Sequence, residues 1–319
     1  MAKQVQITTD SPALFALFTR PLEDLAPLQT LTQGEYAKNS LLAMRKDWNH
    51  FVEYCQLNSR CPLPAEPNTV KLFLLQMSQA RKFASLRRYS LTIARVHRYL
   101  GQIDPVAHRE VHYTLQSLRG DKKDDATQAR PFHAKHLKAL YRQLGESELV
   151  KDQRDLAIWA VMFETLLKRS ELCELTCANL AEDDDGTLFI EIDQHYLPLT
   201  QETRAQLEYW LALAGISDGL LFRSIDRHSN VAQSPMDHSS IYRVFRRASQ
   251  LLGFDHKNPF SGQSSRVGAT QALAKTGLNL DQIQKIGRWK SAAMPAQYLG
   301  KKVKSEREKA KFKRQKDLN

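Results

Sequence analysis

Large apolar residues recur at helical spacing along most of the chain. Leu41, Met44, Trp48, Phe51, Val52 and Cys55 mark one face of a single helix. The run Cys61-Pro62-Leu63-Pro64-Ala65-Glu66-Pro67 stops it, because closely spaced prolines forbid continuation. Asn68 or Thr69 then caps a second helix carrying Val70, Phe73, Leu74 and Met77. Ser85 opens a third, with Tyr89, Ile93, Val96 and Leu100 inward and Gly101 closing it, and a fourth runs from Pro105 to about Leu118. Residues 1–31 show weak periodicity and are expected to form a loosely held, flexible arm. Residues 32–119 predict a small all-helical domain.

The stretch 120–131, from Gly120 to Pro131, is polar and poor in helix formers, and reads as an interdomain linker. Helical patterning returns over 132–300 with one break. Asp183-Asp184-Asp185-Gly186-Thr187 is a turn leading into a short strand, Leu188 to Ile192, and Tyr196 to Leu199 looks like its hairpin partner. Helices are expected from Gln201 to the end, and no internal repeat is found. The predicted fold class is mainly α: an N-terminal helical domain, then a mostly helical domain with a small antiparallel β-hairpin. Residues 301–319 form a basic tail that reads as a solvated helix or extension.

Charge narrows the range of partners. The 319 residues carry a formal net charge of +11, which favours a polyanion, nucleic acid being the usual one. Charge alone fits a merely basic enzyme equally well. Cys55, Cys61, Cys173 and Cys177 have neither metal-ligand spacing nor a paired framework, so no metal is expected. No secretory leader opens the chain and no apolar run approaches a membrane span, so a cytoplasmic, nucleoid-associated protein without membrane partners is the expectation.

The cations are concentrated on two helices. Arg81, Lys82, Arg87, Arg88, Arg95 and Arg98 cluster in and just before the helix that Ser85 opens, and Arg243, Arg246 and Arg247 lie on a helix of the second domain. A helix with an apolar back and a guanidinium-rich front suits a major groove, where arginine reaches guanine edges or phosphates. Two such faces suggest a clamp closing around a duplex.

Three boxes in the second half carry candidate chemistry. They are Thr165-Leu166-Leu167-Lys168-Arg169-Ser170-Glu171-Leu172, then Ser261-Gly262-Gln263-Ser264-Ser265-Arg266-Val267-Gly268-Ala269, then Gly287-Arg288-Trp289 with Tyr298 nine residues beyond the tryptophan. In this order they resemble the tyrosine recombinases, and more closely the Cre-like branch. The resemblance runs from about Tyr36 to Leu299 and includes Pro64-Ala65-Glu66-Pro67 and His97-Arg98-Tyr99-Leu100-Gly101 in the first domain.

The resemblance implies a tyrosine that attacks a DNA phosphate, giving a 3′-phosphotyrosine and a free 5′-hydroxyl. It implies no cofactor, because a second hydroxyl reverses the step and bond energy is conserved. Tyr298 matches the nucleophile and Arg266 the second arginine of the phosphate clamp. Trp289 matches a position that is His or Trp in relatives, and Glu171 a carboxylate that orients the clamp.

Three positions depart from the pattern. The family's first arginine falls on Lys168, a point charge without the planar fork that grips phosphate bidentately. Arg169 next to it projects about 100° around the helix. The second-box histidine falls on Gln263, which exchanges no proton near neutral pH. The hairpin turn, Asp193-Gln194-His195, lacks the lysine with which relatives protonate the leaving oxygen. Losing one well-placed transition-state donor costs roughly 10²–10³ in rate. The expectation is therefore a site-specific, duplex-binding relative whose cleavage through Tyr298 is weak or lost. The alternative is an active recombinase with an atypical site; a topoisomerase-like activity would suffer the same deficits. Inverted-repeat half-sites, self-association on DNA or a partner recombinase go with either reading. The tail, Lys-rich with Val303 and Phe312, lacks the apolar character by which Cre-like relatives dock this segment into the next subunit.

Overall fold

The computed structural model describes residues 12–123, 125 and 127–300. The chain falls into two compact units, Met1–Thr127 and Gln128–Asn319. The basic tail, 301–319, and the first eleven residues of the expected arm lie outside the described residues.

The first unit contains α1 (Pro12–Leu17), α2 (Ala26–Leu31), α3 (Lys38–Leu57), α4 (Pro67–Ser78), α5 (Phe83–Tyr99) and α6 (Arg109–Asp121). Trp48, Phe51, Val52, Phe73, Leu74, Ile93 and Val96 are completely buried together. The loosely held arm needs correction over residues 12–31. Phe18, Leu28 and Leu31 are fully buried, Trp48 Nε1 donates to the Phe18 carbonyl at 3.2 Å, and the Asn49 amide binds both backbone groups of Leu22. The helical pieces here, Pro12–Leu17 and Ala26–Leu31, are six residues each with Pro21 between them, too short to display a helical period.

Two helix starts also differ. Pro67 takes the first position of α4, where its missing N–H costs nothing, so Glu66 rather than Asn68 or Thr69 precedes the helix. α5 begins at Phe83, two residues before Ser85, because Asp125 supplies the acceptor: its Oδ2 takes the Phe83 N–H at 2.6 Å. Asp125 lies in the stretch read as linker, and Lys82 Nζ likewise donates to Thr127 Oγ1 at 2.9 Å. The start of that stretch, Gly120 and Asp121, is the last turn of α6.

The second unit contains α7 (Ala134–Leu144), α8 (Val150–Thr165), α9 (Arg169–Glu174), β1 (Leu180–Glu182), β2 (Leu188–Ile192), β3 (His195–Pro198), α10 (Gln201–Leu213), β4 (Arg223–Ile225), β5 (Val231–Pro235), α11 (His238–Leu251), α12 (Ser264–Lys275), α13 (Leu280–Ile286) and α14 (Ala293–Tyr298). α8 is buried nearly all round, with α7, α10 and α12 packed against it. Its polar residues are therefore paired inside the fold. Asp155 takes Arg154 and Arg247, and Asp152 takes Arg247 and Ser147.

β2 and β3 form the expected hairpin, joined by Asp193 and Gln194, both at positive φ (48° and 64°), the backbone of a tight two-residue turn. β1 adds a third antiparallel strand, Leu180 facing Ile190. The expectation of helices throughout from Gln201 is corrected by the β4–β5 hairpin. Its strands are short and largely polar, so no apolar alternation announces them. Arg223 anchors the first by donating to the Asp218 carbonyl and to Gln233.

Candidate active site

α8 ends at Leu166, whose left-handed backbone (φ +53°) breaks the helix and leaves its carbonyl free to accept from Arg266 Nη1. Lys168 then caps α9: its backbone N–H donates to Glu171 Oε2 at 2.7 Å and its Nζ to Glu171 Oε1 at 2.6 Å. The first box thus delivers a carboxylate already holding an ammonium.

The second box opens α12. Arg266 is only 6% exposed, and its Nη2 donates to the Gly287 carbonyl at 2.9 Å. Its guanidinium lies 4.4 Å from the Trp289 ring centre, a cation–π contact that fixes its plane. Trp289 in turn lies against Gly287, where an added Cβ would come within 1.8 Å of the indole. Burial holds Arg266 below its ordinary pKa; Tyr298 opposes that shift and the Arg288 charge adds to it.

Tyr298 ends α14. Its carbonyl accepts from Gln128 Nε2 at 3.2 Å and Gln271 Nε2 at 3.0 Å, and its ring meets Trp289 edge-on at 6.0 Å. Its hydroxyl donates to Gln263 Oε1 at 3.3 Å. Burial raises the phenol above its ordinary pKa of 10.0, with Arg266 pulling the other way. Gln263, Arg266, Trp289 and Tyr298 therefore form one connected set, and the Lys168–Glu171 pair lies close enough for the Glu171 charge to act on Arg266.

Arg288, which the sequence reading left without a role, joins them: its Nη2 donates to Glu171 Oε2 at 2.9 Å and its Nη1 to the Thr165 carbonyl at 3.2 Å. Burial pushes the Glu171 carboxyl up, but Lys168 and Arg288 together hold it below its ordinary value. The signal in the sequence was a cation inside the third box; where its side chain would turn depended on a backbone angle that no pattern shows. Arg169 lies elsewhere, its stem against Gly262.

The basic residues of the two helices differ in exposure and in partners. On and before α5, Arg81, Lys82 and Arg87 are exposed, and Arg95 lies over the Tyr36 ring. Arg88 is instead bound bidentately by Asp47, which is fully buried, at 2.7 and 2.8 Å. On α11, Arg243 is exposed and Arg246 lies over Tyr242, whereas Arg247 is taken by Asp152 and Asp155. Arg247 is thus turned inward by two aspartates of α8, whereas Arg88, still half exposed, is tethered to the buried Asp47 of α3. Among the described residues no helix is long and apolar enough to cross a membrane, and no three His, Cys, Asp or Glu are grouped to hold a metal.

The chain is 24% identical over 293 residues to the Cre recombinase of Escherichia phage P1, covering 83% of this chain and 84% of that protein. It is also 24% identical over 280 residues to an integrase/recombinase XerD homolog of Selenomonas ruminantium, covering 82% of each. Among solved structures, the Tn1549 transposon integrase in complex with transposon right-end DNA has a similar fold (TM-score 0.62, 14% identity, 94% of this chain and 98% of that one). So does a lambda integrase dimer bound to a COC′ core site (TM-score 0.61, 16% identity, 85% and 91%). The family model for phage integrases matches residues 132–304, more than half of the 319 residues and all three boxes. The chain belongs to the phage integrase family, the tyrosine recombinases.

Proposed function

We propose that the protein binds duplex DNA at a recombination site, its two units acting as a clamp, and that strand cleavage through Tyr298 is weak or lost. The ligand is double-stranded DNA carrying inverted-repeat half-sites, occupied by copies of this chain or by this chain beside a partner recombinase. Exposed cations on both units, Arg81, Lys82 and Arg87 on one and Arg243 on the other, with the half-buried Arg95 and Arg246 beside them, support the DNA reading. The DNA-bound relatives of similar fold, one of them a dimer, support it further.

One observation carries the loss of cleavage. The Tyr298 hydroxyl donates to the Gln263 side-chain oxygen at 3.3 Å. An amide accepts that hydrogen bond but cannot take the proton near neutral pH, so a phenol already raised in pKa by burial has no base beside it. Lys168 is held on Glu171, and residues 188–198 contain no lysine to protonate a leaving oxygen. The second reading, an active recombinase with an atypical site, rests on the intact contact of Arg266, Trp289 and Tyr298.

A duplex that the protein itself selects, nicked near the scissile phosphate, separates the two. The expected result is no covalent adduct from the wild type and a recovered adduct from Lys168→Arg combined with Gln263→His. A wild-type adduct that disappears in Tyr298→Phe would sink the cleavage-deficient reading and establish the second. Specific binding should weaken steeply with salt, and a flat response would argue against the clamp.

A further inference from the structure

Arg288 sits at φ +54°, in the left-handed region where any side chain carries a steric cost that glycine escapes. The tight end of α13 imposes this backbone: Arg288 N–H donates to the Lys285 carbonyl and Trp289 N–H to that of Gln284. A long charged side chain is held there against its own backbone preference. Such strain persists where the surrounding structure, or a function, holds it in place.

Its surroundings favour a ligand. The Arg288 side chain is 6% exposed, and its Nε is buried with no hydrogen-bond partner. A buried guanidinium N–H without an acceptor is costly, and it awaits one. Glu171 holds Lys168 on Oε1 and Arg288 on Oε2, so the cationic ends of residues 168 and 288 meet on a single carboxylate. Arg288 therefore brings a planar guanidinium to the place that position 168 reaches, where the sequence offers only a lysine. It is also close enough for its charge to act on Arg266. Lys168 and Arg288 are paired with Glu171, and Arg266 is close enough to feel that same carboxylate, so three cations share one anion. The unbalanced charge suits a monoanion with two non-bridging oxygens.

We propose that Arg288 is the second guanidinium of the phosphate site, gripping a non-bridging oxygen of a DNA phosphodiester opposite Arg266 in place of residue 168. This rests on the DNA-binding reading above and does not require cleavage. The alternative is that Arg288 only braces Glu171 and the end of α8.

The test uses the full-length chain and a duplex that it selects from a random-sequence library. Each phosphate is replaced in turn by an uncharged methylphosphonate and affinity is measured. One replacement near the cleavage position should weaken wild-type binding about tenfold, the scale of one charge-assisted hydrogen bond. In Arg288→Gly the unmodified duplex should bind about tenfold more weakly, and the same replacement should then cost nothing further, the signature of a direct pair. Lys168→Arg added to Arg288→Gly should restore the sensitivity. Glycine suits the φ at 288, and unfolding midpoints will register any damage to the fold. Arg288→Gln, which keeps the stem and drops the charge, repeats the measurement should glycine prove disruptive.

If that phosphate matters equally in wild type, Arg288→Gly and Arg288→Gln, Arg288 is only a brace and the proposal falls. It also falls if Lys168→Ala alone removes the sensitivity. Failure to select any duplex with salt-dependent binding would overturn the DNA reading itself, and this inference with it.

Discussion

Arg87 and Arg88 are adjacent on α5 and carry the same charge, yet the fold uses them differently. Asp47 is fully buried and its carboxylate is met by Arg88 and Thr92. Removing Arg88 leaves a buried carboxylate without its cation. Arg88→Ala should therefore destabilise the first unit by about 2–3 kcal/mol, less than the full cost of breaking a buried pair because Arg88 itself is half exposed. Arg87→Ala should change stability by less than about 0.5 kcal/mol while weakening DNA binding. Urea unfolding of both variants beside a binding titration checks this; equal stabilities would show that Asp47 does not depend on Arg88. The distinction was hidden in the sequence because Asp47 lies forty-one positions away on another helix. Spacing places a residue on a face but does not say what opposes it.

At the scale of elements, α12 shows how closely the boxes are built into the packing. A Cβ on Gly268 would come within 1.7 Å of the Phe132 carbonyl oxygen, on the segment whose N–H donates to the Ser264 carbonyl at 2.9 Å. Alanine at a helical glycine normally gains up to about 1 kcal/mol of helix propensity. Here overlap with backbone outweighs it, and Gly268→Ala should cost about 3 kcal/mol or more, read from the unfolding midpoint. A neutral or stabilising result would mean that Phe132 does not run against α12. Long helices were legible because their apolar faces repeat several times, as in α3 and α5. The short α1 and α2 and the hairpin β4–β5 were not, since six residues or a polar three-residue strand complete too little of a period. The boxes themselves were legible as an ordered set, but the Arg288 contacts depend on φ at one residue.

For the molecule as a whole, one partly buried histidine and one fully buried one couple stability to pH. His136 packs against Phe132, Phe254 and Phe260, and burial, aided by the nearby charges of His133, Lys135 and Arg130, lowers its pKa from 6.5 to about 4. His97, in the core of the first unit, is shifted in the same direction, again chiefly by burial. Because their folded pKa values lie below the unfolded ones, the unfolded chain binds more protons in that window. The stability linked to His136 is complete above about pH 6.5 and is lost as pH falls toward 4. The unfolding midpoint should therefore drop between pH 7 and pH 5, and His136→Gln should flatten part of that slope. A variant whose profile parallels the wild type would remove His136 as a cause.

The two glutamines that hold the Tyr298 carbonyl have a consequence for how subunits would cooperate. Gln128 comes from the first residue of the second unit and Gln271 from α12, which also carries Arg266. The tyrosine is thus tethered to the same chain that supplies Arg266, and it is buried there. Where copies of this chain occupy neighbouring half-sites, as proposed above, each would bring its tyrosine and Arg266 to its own half-site already joined.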